Sequence, residues 1–162
     1  MKLTSRAFKD GREIDQKHTM DGQDTSPELA WTDIPARTQS FALICEDPDA
    51  PSPRKPAADP WVHWIIFNIS ADATRLRSGI ERTLEPEEVS GARQGVNSWS
   101  RDNIGFRGPA PPPGSGKHRY FFRLFALDSA LELDAGATKR QLLEKMAGHV
   151  LAECQLVGTY ER

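Results

Sequence analysis

The sequence predicts a mainly β domain with a single peripheral helix. Three apolar segments of strand length, each bounded by Pro/Gly clusters, and one late amphipathic segment carry that expectation. The main strand segments come before the helix rather than alternating with it, which favours a predominantly antiparallel sheet over repeated βαβ units. Residues 1–162 are read as one domain, long enough to bury a core without disulfide or metal staples.

In chain order, a weak strand signal first covers Leu3 to Phe8. The segments "SFALICED" (Ser40 to Asp47), "WVHWIIFNIS" (Trp61 to Ser70) and "HRYFFRLFALD" (His118 to Asp128) follow, rich in aromatic and branched residues, and form the expected central sheet. "TKRQLLEKMAGHVLAECQ" (Thr138 to Gln155) places Leu142, Leu143, Met146, Val150 and Leu151 on a helical stripe, and Thr138 and Gln141 have capping-box spacing. A second weak strand signal covers Leu156 to Tyr160.

Composition narrows the function classes. With 21 Lys+Arg against 23 Asp+Glu and a net charge of −2, no global field favours nucleic acid or an anionic membrane, so any lipid or nucleotide needs a local site. "MKLTSRAFKDG" has no apolar leader core and no apolar run is long enough to span a bilayer, so a cytoplasmic protein without integral membrane association is expected. Cys45 and Cys154 stand alone in apolar segments and are read as buried thiols.

The prolines mark the unusual segments. Pro48, Pro51, Pro53, Pro56 and Pro60 form one cluster; Pro109, Pro111, Pro112 and Pro113, interleaved with Gly105, Gly108, Gly114 and Gly116, form another. Fixed φ values beside permissive glycines describe built loops, which often carry function. Strand alternation puts His63 on the face of Ile65, Phe67 and Ile69, His118 with Tyr120, Phe122 and Leu124, and Asp47 with Phe41, Leu43 and Cys45. If the first two strands pair antiparallel and the third runs in the sense of the second, Asp47, Asp49, His63 and His118 meet at one pocket mouth.

Two imidazoles at an apolar rim, beside a loop able to turn backbone N–H groups inward, suit an anion. The acids would orient the imidazoles or receive a cation, and phosphoethanolamine satisfies both signs. Blander readings stand beside this one: Asp-Pro-Asp-x-Pro as a surface turn, a satisfied structural histidine, a proline-rich ligand segment. The four groups include zinc or iron ligand types, but no HxxxH or HExxH pair is present, and no metal or other cofactor is expected. There is no GxSxG, Ser98, Ser100 and Ser115 carry no diagnostic context, and "GSGK" is not a P-loop, so enzymatic activity is not expected.

With their flanks, the two loops resemble the phosphatidylethanolamine-binding protein (PEBP) family, in particular its bacterial Raf-kinase-inhibitor-like branch. The matching segments are "DPDAPSP", "WVHWIIFN" and "GFRGPAPPPGSGKHRYFFRLFALD", and more loosely "DGQDTSPELAW" and "MAGHVLAECQLVGTYER". The resemblance implies a β-sandwich with a Greek-key antiparallel central sheet and a small anion pocket. Its ligand-binding residues would be Asp47, Asp49, Pro51, His63, Gly108, Pro111, Pro112, His118 and Tyr120, with a cis Ala50–Pro51 bond. It implies a non-enzymatic protein that binds a phosphate-like or phosphoethanolamine-like anionic ligand. The alternative is a kinase- or protease-inhibitor-like regulator that meets a protein partner through its surface. A homodimer is expected from the same resemblance, and a sequence ending at "LVGTYER" lacks the extra C-terminal helix of the kinase-inhibiting members, so an open site is expected.

Overall fold

The protein is described by a computed structural model covering residues 1–100 and 102–162. Its strands are β1 (Lys2–Thr4), β2 (Arg12–Glu13), β3 (Leu29–Thr32), β4 (Ser40–Asp47), β5 (Trp61–Ser70), β6 (Arg75–Leu76), β7 (Arg93–Gln94), β8 (His118–Leu127) and β9 (Val150–Tyr160). A helix, α1 (Lys139–Met146), lies between β8 and β9.

The strands form two sheets. The larger has the order β2-β9-β8-β4-β5-β7, antiparallel throughout except for the short β2, which runs parallel to β9; the smaller has the order β1-β3-β6. Both β5 and β8 pair antiparallel with β4, so they run in the same sense, as the site prediction required.

The core has two parts because the large sheet is covered on both faces. Phe41, Leu43, Trp64, Ile66, Phe122 and Leu124 pack with Leu3, Leu29, Trp31 and Leu76 of the smaller sheet. On the opposite face Ala42, Ile44, Ile65, Phe67 and Phe125 meet Leu142 and Met146 of α1. All eight residues of β4 are therefore buried, which is why "SFALICED" reads as a run rather than an alternation. Each of the two helix side chains placed on the sheet contributes about 1.5–3 kcal/mol of apolar burial.

Two boundaries depart from expectation. The capping box at Thr138 and Gln141 is present, but the helix stops at Met146 instead of continuing to Gln155. Gly148 takes a φ of 84°, and Val150 and Leu151, read as the end of the helical stripe, instead open β9, which pairs with β8 from Leu127 to His118. The weak signal at Leu156 to Tyr160 is thus the second half of a long strand. At the other end β1 covers only Lys2–Thr4, and Phe8 reaches the core from a loop. Both cysteines are free thiols, with Cys45 buried and Cys154 only half-buried. No helix among the described residues is long and apolar enough to cross a membrane.

Candidate functional site

The antiparallel pairing of β4 with β8 sets the last residue of one strand beside the first of the other. Asp47 and His118 both point to the interior face, and His118 Nδ1 lies 2.7 Å from Asp47 Oδ2. The other carboxylate oxygen of Asp47 accepts the Asp49 backbone N–H at 2.7 Å, closing the Asp-Pro-Asp turn. Burial raises the Asp47 carboxyl above its usual value, and the bonds from His118 and Asp49 only partly oppose that rise. The second nitrogen of His118, Nε2, lies 3.0 Å from Ser115 Oγ, so the fully buried ring is engaged on both sides.

His63 reaches the same place by a different route. Cys45 pairs with Trp64 and Glu46 with Val62, which leaves His63 as the extra residue of a bulge. Its ring stands edge-on to Tyr120 and to Trp99, each at 5.0 Å between centroids. It therefore sits against the side chains of the sandwich interior, not on the face of Ile65 and Phe67. The expected alternation also fails further on, at Asn68, whose φ of 55° returns Ile69 to the interior core while Phe67 packs toward the helix.

The backbone of Arg107 clamps His63 reciprocally: His63 Nδ1–H donates to Arg107 O at 2.7 Å, and Arg107 N–H donates to His63 O at 2.9 Å. Burial lowers the His63 pKa to about 4, so the ring is neutral at pH 7 with Nε2 as a bare acceptor.

Together these groups line a cavity of about 370 Å³. Asp47, Pro51, His63, Pro111, Pro112, His118 and Tyr120 of the expected set form its walls; Trp61, Trp99, Ala50, Ala57, Asp59 and Ala110 complete them. Trp61 and Trp99 meet nearly at right angles, 5.4 Å apart. The Tyr120 hydroxyl is buried without a hydrogen-bond partner, and burial pushes its pKa well above the usual phenol value. The Ala50–Pro51 peptide is cis.

Two expected site residues stand behind the wall rather than on it. Asp49 turns its carboxylate to Arg119, accepting from Nε, Nη2 and the backbone N–H, each at 2.9 Å, and Arg119 holds its pKa below the usual value. Its carboxylate makes no hydrogen bond to a histidine and is not among the residues lining the cavity. Gly108 is needed for close packing: a Cβ there would meet His18 O at 2.4 Å. Its N–H donates to Asp24 Oδ1 at 2.6 Å, and Ser115 N–H donates to Pro112 O. Prolines fill much of the rest, so from Gly108 to Ser115 the loop is mostly wall rather than a ring of free N–H donors.

The wall has its own support, which sequence reasoning passed over. Asp24, at φ 54°, also meets Arg82 and Arg107 at 2.8 and 3.0 Å, tying "DGQDTSP" to the Pro/Gly loop. Arg107 in turn lies over the Trp99 ring at 5.7 Å. The quoted "DGQDTSP" segment was the only signal that pointed there.

Comparisons with known proteins identify the family and the fold. The family model for phosphatidylethanolamine-binding protein matches residues 4–161. A UPF0098 protein from Methanothermobacter thermautotrophicus is 46% identical over 162 residues, covering 100% of this chain and 99% of that one. Among solved structures, a phosphatidylethanolamine-binding protein homologue from Chlamydia trachomatis has a TM-score of 0.86 and 40% identity, covering 99% of this chain and 97% of that one. E. coli YbcL, described as a member of the mammalian PEBP family, has a TM-score of 0.88 at 30% identity, with 99% and 98% covered.

Proposed function

Because the chain belongs to the phosphatidylethanolamine-binding protein family, we propose that its aromatic pocket binds a small zwitterionic phosphate ester of the phosphoethanolamine type. The observation that carries this is the pocket's charge: its charged side chains are the carboxylates Asp47 and Asp59, with no Lys or Arg among the wall residues. A bare anion lacks a counter-charge in such a place, whereas a ligand with its own ammonium group does not.

The two ends of the ligand have separate partners. The ammonium suits the corner between Trp61 and Trp99, with Asp59 also on the cavity wall. The phosphate faces His63 Nε2 and the Tyr120 hydroxyl. A neutral His63 accepts rather than donates, so it binds either the protonated oxygen of a phosphate monoanion or takes up a proton when a dianion arrives. Rigid prolines on both sides limit the ordering cost.

Calorimetry of the full chain at pH 6 with O-phosphoethanolamine and with inorganic phosphate tests this. Phosphoethanolamine should bind about tenfold tighter, and Trp99→Ala should reduce that advantage to about twofold, in line with roughly 1 kcal/mol for a cation over an aromatic face. Equal affinity for the two ligands, or no heat with either, would contradict the reading.

A further inference from the structure

We propose that Ser115, His118 and Asp47 form a nucleophilic serine relay, giving the protein an acyl-transfer site for carboxylic esters that carry a compact apolar or aromatic group. Ser115 Oγ lies 3.0 Å from His118 Nε2, and His118 Nδ1 lies 2.7 Å from Asp47 Oδ2. A nucleophile, a base and a carboxylate that orients the base thus stand in hydrogen-bonded sequence, the geometry by which such relays are recognised on unrelated folds.

The Asp47 carboxylate, itself fixed by the Asp49 N–H, accepts from Nδ1–H, which leaves Nε2 to accept the Ser115 hydroxyl proton. His118 and Asp47 are buried from water, while Ser115 is half-exposed and reachable. Ser115 stands between Gly114 and Gly116, at φ 74° and 102°, conformations that favour glycine on both sides of the nucleophile. Among the described residues the backbone N–H groups of Gly116 and Lys117 have no protein acceptor. The position after the nucleophile is where serine hydrolases place an oxyanion donor. The His118 ring also forms part of the aromatic cavity wall, so an ester held there by its apolar group is near the relay.

In the reaction, Ser115 Oγ adds to the ester carbonyl carbon as its proton passes to His118 Nε2. The ester C–O bond breaks and the alcohol leaves with that proton. Water, deprotonated by the same nitrogen, then attacks the acyl-serine, releasing a carboxylic acid and restoring the hydroxyl.

The test treats the full chain with a fluorophosphonate probe, maps the adduct by peptide mass, and follows p-nitrophenolate release from p-nitrophenyl butyrate. The expected result is an adduct at Ser115, with both labelling and release reduced about a hundredfold in Ser115→Ala at unchanged circular dichroism. Asp47→Asn adds a readout that a loop brace would not move. The amide reverses the imidazole tautomer while leaving Ser115 in place, and labelling should again slow about a hundredfold. No adduct at Ser115, or ester release indifferent to Ser115→Ala, would overturn the proposal. If phosphoethanolamine still bound in that case, Ser115 would be a brace for the loop and the ligand reading would stand.

Discussion

Asp47→Ala should lower the unfolding free energy by about 3 kcal/mol at neutral pH, because it strands the Asp49 N–H and the His118 Nδ1–H in a buried site at about 1–3 kcal/mol each. Asp47→Asn should stay within about 1 kcal/mol of the wild type. Its single oxygen can keep the Asp49 N–H while its NH2 donates to His118 Nδ1, so the ring changes tautomer and no donor is stranded. The raised Asp47 carboxyl points the same way. Its folded pKa lies above the unfolded value of 3.8, so its protonated form contributes stability at low pH that is lost as pH rises through the folded value. The neutral amide avoids that loss. Urea denaturation of both variants at pH 7 checks the ordering; equal losses would mean that Asp47 acts through charge and not through its two acceptors.

Acidification should expose His63 just as clearly. Its folded pKa of about 4 lies below the ordinary 6.5, so the unfolded chain binds the extra proton between those values and the folded one does not. The stability due to a neutral His63 is therefore complete above about pH 6.5 and falls as pH drops towards about 4, a total of about 3 kcal/mol at 1.36 kcal/mol per unit. Burial is the main cause, with the nearby His118 acting in the same direction and Asp24 opposing. His63→Asn, whose amide can still donate to Arg107 O, should flatten the profile over that window. The lowered carboxyls of Asp49, held by Arg119, and of Asp21, held by Arg162, act in a different window: their stabilisation is present above the unfolded carboxyl value and is lost at more acid pH. Parallel profiles for wild type and His63→Asn from pH 6.5 to 4 would contradict the burial argument.

Much of the fold was legible because its signals are local. "SFALICED", "WVHWIIFNIS" and "HRYFFRLFALD" are strands in the structure to within a residue, and the Thr138/Gln141 cap starts the helix where spacing put it. The helix end was misread because Val150 and Leu151 also fit a helical stripe, while the ten-residue pairing with β8 that makes them strand is a long-range fact. For the site, Asp47 and His118 followed from direction and alternation alone. His63 was placed at the right mouth but on the wrong face, since a bulge leaves no mark in the sequence. Asp49 pairs with Arg119, which lies between His118 and Tyr120 but points to the opposite face of β8, and Gly108 serves packing against His18. Trp99 and Ser115 were passed over because each acts through a partner brought in by the fold: Trp99 by meeting the His63 ring edge-on, Ser115 by bonding to His118.

The most direct test of the pocket is a nitrogen-15 NMR titration of the histidine side chains with O-phosphoethanolamine at pH 6, in the wild type and in His63→Ala and His118→Ala. The proposed function predicts that His63 Nε2 moves from a bare towards a protonated ring nitrogen, saturating in the millimolar range, that His118 responds with it, and that either substitution abolishes the response. If the signals of both histidines stay fixed through tens of millimolar ligand, the cavity does not bind this head group and the central claim fails.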